Sequence, residues 1–96
     1  MLDVYKIRKD FPILGKKVNN TDLIYFDNAA TSQTPNQVID VISSYYKENN
    51  SNIHRGLHSL SADATNKYEN SRSIIKNHFG AAHDHEIIFT SGTTHG

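Results

Sequence analysis

An apolar segment that runs into a glycine turn restricts the fold of this chain more than any other feature. Residues 86–90 (EIIFT) combine β-branched and aromatic side chains, which predicts a buried strand. Ser91, Gly92 and two threonines follow at once, where a helix would begin. A strand leading through glycine to a helix start is typical of α/β folds. Because the 96-residue chain stops just after this turn, we expect a truncated protein.

Three helices and one further strand are predicted before that segment. Residues 3–10 favour a short helix that Pro12 ends, and the apolar run 23–26 favours a strand after the Asn19-Asn20 turn. A longer helix is expected from Thr34, with Pro35 at its first position and Gln37 completing a capping box. Its apolar residues at helical spacing predict one buried face before the break at 49–50: Val38, Val41, Ile42 and Tyr45.

A third helix follows an irregular stretch at residues 51–58. It should begin near Ser59 or Ser61 and end before Gly80, a suitable residue for the position just past a helix. The expected buried stripe is Ala64, Tyr68, Ser71, Ile75 and Phe79. Two strands so far apart cannot form a sheet without partners from elsewhere.

Composition excludes several classes of function. Ten basic and ten acidic residues balance, so the net charge favours neither nucleic acid nor an anionic membrane. The absence of cysteine excludes disulfides and thiolate chemistry within these residues. No apolar run approaches the roughly 20 residues that span a bilayer, and no secretory signal is evident. We therefore expect a soluble, cytoplasmic chain.

The turn at Gly92, Thr93 and Thr94 is the first candidate binding site. Unpaired N–H groups at a helix start, joined by threonine hydroxyls, can bind a phosphate group. The glycine spacing matches neither a nucleotide-binding P-loop nor a dinucleotide fingerprint. Taken alone, an ordinary strand-to-helix turn capped by threonine is the better interpretation.

Two other segments carry polar groups in irregular stretches. His54 and Arg55 offer a titratable ring and a planar fork for a carboxylate beside Gly56, although a solvated loop that caps a helix is slightly favoured when the segment is taken alone. His54 and His58 lack a third metal ligand, so no metal site is predicted. Ala29 and Ala30, in the turn after Asp27, permit close approach by a ligand, but a plain turn suffices.

The order of these segments resembles a known family. The run from Tyr25 to Thr31 (YFDNAAT) is similar to the opening of class V aminotransferase-type enzymes, which use pyridoxal 5′-phosphate (PLP). Residues 52–61 (NIHRGLHSLS) resemble the group II (SufS-like) cysteine desulfurases, in which H-R-G-x-H-x-L-S occurs. Residues 68–72 (YENSR) and 86–94 (EIIFTSGTT) follow at the family's spacing, although His95 stands where many members have glutamate.

The resemblance implies a PLP-dependent transferase of fold type I, truncated at the start of the large-domain sheet. Residues 1–20 would pack with the small domain, and 21–96 would begin the large PLP-binding domain. The implied cofactor-binding residues are Gly92, Thr93, Thr94 and His95. The implied substrate-binding residues, with the last two near the pocket mouth and dimer interface, are Ala29, Ala30, His54 and Arg55.

The implied activity is removal of sulfur from L-cysteine, giving L-alanine and an enzyme persulfide for iron–sulfur cluster assembly. The implied partners are a second copy of the chain and a sulfur-acceptor protein. The family's Schiff-base lysine and nucleophilic cysteine have no counterpart here, so catalytic residues are expected beyond residue 96 and the chain alone should be inactive. Alternatives are a kynureninase-like enzyme, a cysteine-sulfinate or selenocysteine lyase, and a non-enzymatic helical binding module.

Overall fold

Three α-helices, one short hairpin, a 3₁₀ helix at Pro12–Gly15 and two further short helical turns form the regular structure in a computed structural model that describes residues 1–54 and 58–96. The helices are α1 (Val4–Arg8), α2 (Asn36–Ser44) and α3 (Ser59–Phe79), and the hairpin pairs β1 (Lys17–Val18) with β2 (Thr21–Asp22). The chain divides into unit 1, Met1–Glu48, and unit 2, Asn49–Gly96. None of the described helices has the length and hydropathy required to cross a membrane.

Local capping explains where α1 and the hairpin form. The Asp3 carboxylate accepts a hydrogen bond from the Lys6 N–H at 3.1 Å, which caps α1 inside the predicted 3–10 segment. Asn19 and Asn20 both have positive φ, 52° and 64°, as a two-residue hairpin turn with type I′ geometry requires. Asparagine tolerates this conformation better than most residues do. The predicted turn is therefore confirmed.

The strand predicted at residues 23–26 was wrong. Strand pairing stops at Asp22, and the Leu23 N–H still bonds to the Lys16 carbonyl at 3.3 Å. Beyond it no described residue pairs with 24–26, and Phe26 is 93% exposed. A strand needs a neighbour for its backbone groups, and β1 is only two residues long.

Helix α2 begins one residue later than its capping signal predicts. Pro35 is extended (ψ 157°), no side chain caps the helix, and the Asn36 N–H bonds to the Asp10 carbonyl at 2.7 Å. The predicted Thr34–Gln37 box was wrong because a carbonyl from another segment holds the helix start. A π-helical turn, Tyr45–Asn49, extends α2 to the predicted break. Most of the face predicted to be buried is not: Val38, Val41 and Ile42 are exposed, and Tyr45 is half-buried.

Helix α3 matches its predicted ends. The His58 ring Nδ1 accepts from the Ser61 N–H at 3.2 Å and caps the N-terminus. Gly80 adopts φ 71°, and the Ala81 N–H reaches back to the Lys76 carbonyl at 3.0 Å, a Schellman motif. The predicted stripe is only partly confirmed: Ala64 is 3% exposed and Tyr68 and Ile75 are half-buried, while Ser71 and Phe79 are exposed.

The strand predicted at residues 86–90 was also wrong. Glu86 closes a short 3₁₀ turn, Asp84–Glu86, and the chain continues extended at Ile87 (φ −101°, ψ 114°). No described strand pairs with this segment, and Ile88 is 77% exposed. The residue types favour a strand, but strand formation depends on a pairing partner as well.

Candidate functional site

The predicted phosphate-binding turn is a hydrogen-bonded turn at residues 92–96, without an assigned helix. The Gly92 carbonyl accepts hydrogen bonds from the N–H groups of His95 and Gly96, both at 3.1 Å. Gly92 has φ 153°, which residues other than glycine rarely adopt. Among the described residues, no hydrogen bond uses the N–H groups or the hydroxyls of Thr93 and Thr94. These four donors are exposed and available to an anion.

Two side-chain contacts shape that turn. The Thr90 hydroxyl donates to the Gly92 carbonyl at 3.2 Å. The His95 ring folds back on Ser91, with its Nδ1 accepting from the Ser91 N–H at 3.2 Å and lying 3.1 Å from the Ser91 hydroxyl. His95 therefore braces the turn through Ser91, while the two threonines are left open. The predicted cofactor-binding role of His95 stays a prediction.

His54 is held tightly by α3, although its loop is irregular. Its φ of 61° is unusual for a residue with a side chain. The Thr65 hydroxyl accepts its N–H at 2.9 Å, and its ring Nε2 lies 3.0 Å from the Glu69 carboxylate. Ser61 adds a further bond to this loop, donating from Oγ to the Asn52 carbonyl at 2.7 Å. The predicted capping role of this stretch is confirmed at His58, whereas Arg55 and Gly56 lie outside the described residues.

The turn that carries Ala29 and Ala30 lies in unit 1. The Asp27 carbonyl accepts from the N–H groups of Ala30 and Thr31, both at 3.1 Å. The Tyr25 hydroxyl donates to the Thr31 carbonyl at 2.7 Å and lies 3.2 Å from the Asp27 carbonyl. The turn is thus closed by backbone and by a tyrosine hydroxyl, and both alanines are exposed.

A cluster on α3 was not predicted as part of a site. The Arg72 Nε lies 3.1 Å from Glu69 Oε2, and its Nη1 donates to the Ile87 carbonyl. The Arg72 guanidinium also stacks over the rings of Tyr68 and Phe89, at 5.4 and 4.8 Å from their centroids. The opposite charges three residues apart in the sequence indicate the Glu69–Arg72 pair. No sequence signal indicates the contacts to Ile87 and Phe89.

No group of metal-ligating side chains is found in residues 1–54 and 58–96, and the His83 and His85 rings stack on each other at 5.2 Å. Two carboxyl groups outside the candidate segments have a lowered pKa. A hydrogen bond from Lys76 lowers the pKa of the Asp84 carboxyl, and Lys17 lowers that of Asp22 in the hairpin.

The family model for class V aminotransferases matches residues 24–96, about three quarters of the chain. The chain belongs to the aminotransferase class-V family. It is 54% identical to a probable cysteine desulfurase of Staphylococcus epidermidis over 92 residues, 96% of this chain and 22% of that protein. A probable cysteine desulfurase of Staphylococcus aureus is 53% identical over the same length.

The comparison with solved structures also finds a cysteine desulfurase. The apo cysteine desulfurase from Thermococcus onnurineus NA1 superimposes with a TM-score of 0.70 at 43% identity, covering 85% of this chain and 19% of that one. The chain spans about a fifth of the length of the relatives it matches. The predicted family and fold class are confirmed.

Proposed function

We propose that this class V chain is the N-terminal segment of a PLP-dependent cysteine desulfurase, which removes sulfur from L-cysteine and releases L-alanine. Likeness to proteins named cysteine desulfurase along nearly the whole chain carries the proposal. The solved relative of the same name supports it. The activity belongs to the full-length protein, because the segment has no cysteine nucleophile.

The residues of the 92–96 turn fit the phosphate group of PLP. The free N–H groups and hydroxyls of Thr93 and Thr94 supply up to four donors, and Gly92 lets the backbone approach a ligand without a Cβ in the way. When bound, PLP supplies an electron sink for substrate chemistry. The task of this turn is to bind and orient it, with Thr94 as the principal donor and His95 bracing the turn.

The substrate side is assigned from the resemblance. Ala29 and Ala30 would line the side of the pocket that receives cysteine, where their small size leaves room. His54 and Arg55 would lie at the pocket mouth near the dimer interface. The exposed position of both alanines and the fixed backbone of His54 support these assignments.

The finer parts of the proposal come from the H-R-G-x-H segment and the motifs around it. They are membership of the group II (SufS-like) enzymes, a cytoplasmic homodimer, transfer of sulfur to an acceptor protein, and a role in iron–sulfur cluster assembly. Residues 1–20 would pack with the small domain of that enzyme, and 21–96 would open its large domain.

Thr94→Val in the full-length protein tests the proposed phosphate site. Valine keeps the size of threonine and removes one donor to a charged group, so PLP affinity should fall by about one to two decades. Titration of the apoprotein with PLP, followed by its absorbance, measures this affinity. Thr34→Val is the control, because Thr34 is exposed and caps no helix.

Each result of that titration decides a different point. A wild-type protein that neither binds PLP nor releases alanine and sulfide from L-cysteine would overturn the proposed function. A wild type that binds PLP, with Thr94→Val binding equally well, would show that the phosphate group is held elsewhere.

A further inference from the structure

One face of α3 contacts His54 and the segment at residues 87–89, which leads into the 92–96 turn of the proposed site. Glu69 shares its two carboxylate oxygens, with Oε1 at 3.0 Å from the His54 ring and Oε2 at 3.1 Å from Arg72 Nε. Arg72 in turn donates to the carbonyl of Ile87, five residues before Gly92. A continuous polar path therefore links His54 to the segment that leads into the 92–96 turn.

Aromatic rings join the same segments a second time. The Tyr68 ring meets the His54 ring edge-on at 5.7 Å and the Phe89 ring at 5.1 Å. The Arg72 guanidinium lies over Tyr68 and Phe89. Edge-to-face ring pairs and cation–π contacts each prefer a restricted geometry, so these contacts orient their partners as well as attracting them.

The chemistry of Arg72 suits this role and that of lysine does not. Its side chain is 19% exposed, and its planar fork serves a carboxylate, a carbonyl and two ring faces at once. Lysine offers a compact point charge that cannot meet these partners together. His54 also needs support, because its left-handed backbone is costly for a residue with a Cβ.

We propose that Glu69 and Arg72 are positioning residues that couple the placement of His54 to that of the 92–96 turn. Their relevance to PLP rests on the proposed function, whereas the coupling itself rests on the contacts of α3. Moving either side chain should disturb both segments, because Glu69 contacts His54 and Arg72, and Arg72 also contacts Ile87. The pocket mouth and the phosphate-binding turn therefore share one support.

Histidine NMR of the full-length protein tests the coupling directly. With ¹³C-labelled histidine and His54 assigned through His54→Asn, Arg72→Lys should shift the His54 ring signal, although Arg72 reaches His54 only through Glu69 and Tyr68. The charge-conserving control on the same helix is Lys67→Arg, since Lys67 contacts Asn49 instead. An unchanged His54 signal in Arg72→Lys overturns the proposal. A shift only in that variant supports it.

PLP titration supplies the second readout. Glu69→Gln and Arg72→Lys should each weaken PLP binding about tenfold, and the double variant should lose little more than the worse single one, because both break one unit. Asp63→Asn, an equal charge change on an exposed residue of α3, is the control. Additive losses overturn the coupling.

The same measurements separate this inference from the proposed function. If one variant loses helical circular dichroism, the other variant decides the test. Glu69→Gln is nearly isosteric, so we expect it to keep the helix. If wild type binds no PLP, the proposed function fails, and the His54 signal still decides whether the two segments are coupled.

Discussion

Unit 1 and unit 2 are equal in length but are held together differently. In unit 1 the side-chain hydrogen bonds of the hairpin and the Tyr25-closed turn join near neighbours in sequence, although one backbone bond links Asn36 to Asp10, and no residue of α1 or α2 is buried. In unit 2 contacts span 15 residues, and Ser61 and Ala64 are buried. The 21-residue α3 offers a surface to which segments on both sides attach, whereas α1 has five residues.

The apolar side chains show the same contrast. In unit 1 they line an open cleft with contributions from α1 and from the unpaired 23–26 segment, among them Val4, Phe11, Ile24 and Phe26. In unit 2 the rings of Tyr68 and Phe89 pack on each other and on Arg72. Apolar surface stabilises a fold only when it is removed from water. The apolar side chains of unit 2 should therefore contribute more to the stability of the fold than those of unit 1.

The largest effect should come from removing the central ring of unit 2. Tyr68→Ala deletes the contacts to His54, Phe89 and Arg72 and should lower the free energy of unfolding by about 2–3 kcal/mol. The same change in unit 1, Tyr5→Ala, removes a ring that is 82% exposed and should cost about 0.5 kcal/mol or less. Urea unfolding of both variants measures the difference, and equal losses would contradict the contrast between the units.

Replacing one glycine in each unit by alanine should change stability by a smaller amount. Gly80→Ala forces a Cβ into φ 71° at the end of α3 and should cost about 1 kcal/mol. Gly15→Ala meets no atom within 4 Å at a φ outside the left-handed region, so it should be neutral or stabilise by up to about 1 kcal/mol. Thermal unfolding checks both changes. A loss at Gly15 as large as that at Gly80 would show that the backbone conformation is not the cause.

The smallest expected effect is the pH dependence of stability that comes from one exposed ion pair in each unit. Hydrogen bonds from Lys76 and Lys17 hold the pKa of Asp84 and Asp22 below the ordinary value of 3.8. Because the folded-state pKa is depressed, each pair contributes its stability above pH 3.8 and loses it as the pH falls through the lowered value.

Carboxyl NMR titration checks these two midpoints. Both should lie below 3.8, and about 1 M salt should move them back toward it by screening the charges. Lys76→Gln should raise the Asp84 midpoint and leave that of Asp22 unchanged. A shift at both carboxyls would mean that the two pairs are not independent.

The sequence alone determined the elements that depend on local signals. Asp3, the Asn19-Asn20 pair and Gly80 act within a few residues of themselves, and α1, the hairpin turn and the end of α3 form where those residues predict. The motif order also sufficed to identify the family that the comparisons show. Local hydrogen bonds and backbone preferences do not depend on distant segments, and motif order is read directly from the chain, so both could be predicted.

Tertiary structure decided whatever needs a partner that is distant in sequence. Residues 23–26 and 86–90 have the composition of strands, yet pairing alone makes a strand, and no described neighbour pairs with them. The start of α2 is held by the Asp10 carbonyl instead of the predicted threonine cap. The link from His54 through Glu69 and Arg72 to Ile87 arises because α3 brings together residues 33 positions apart, a proximity that neither periodicity nor spacing encodes.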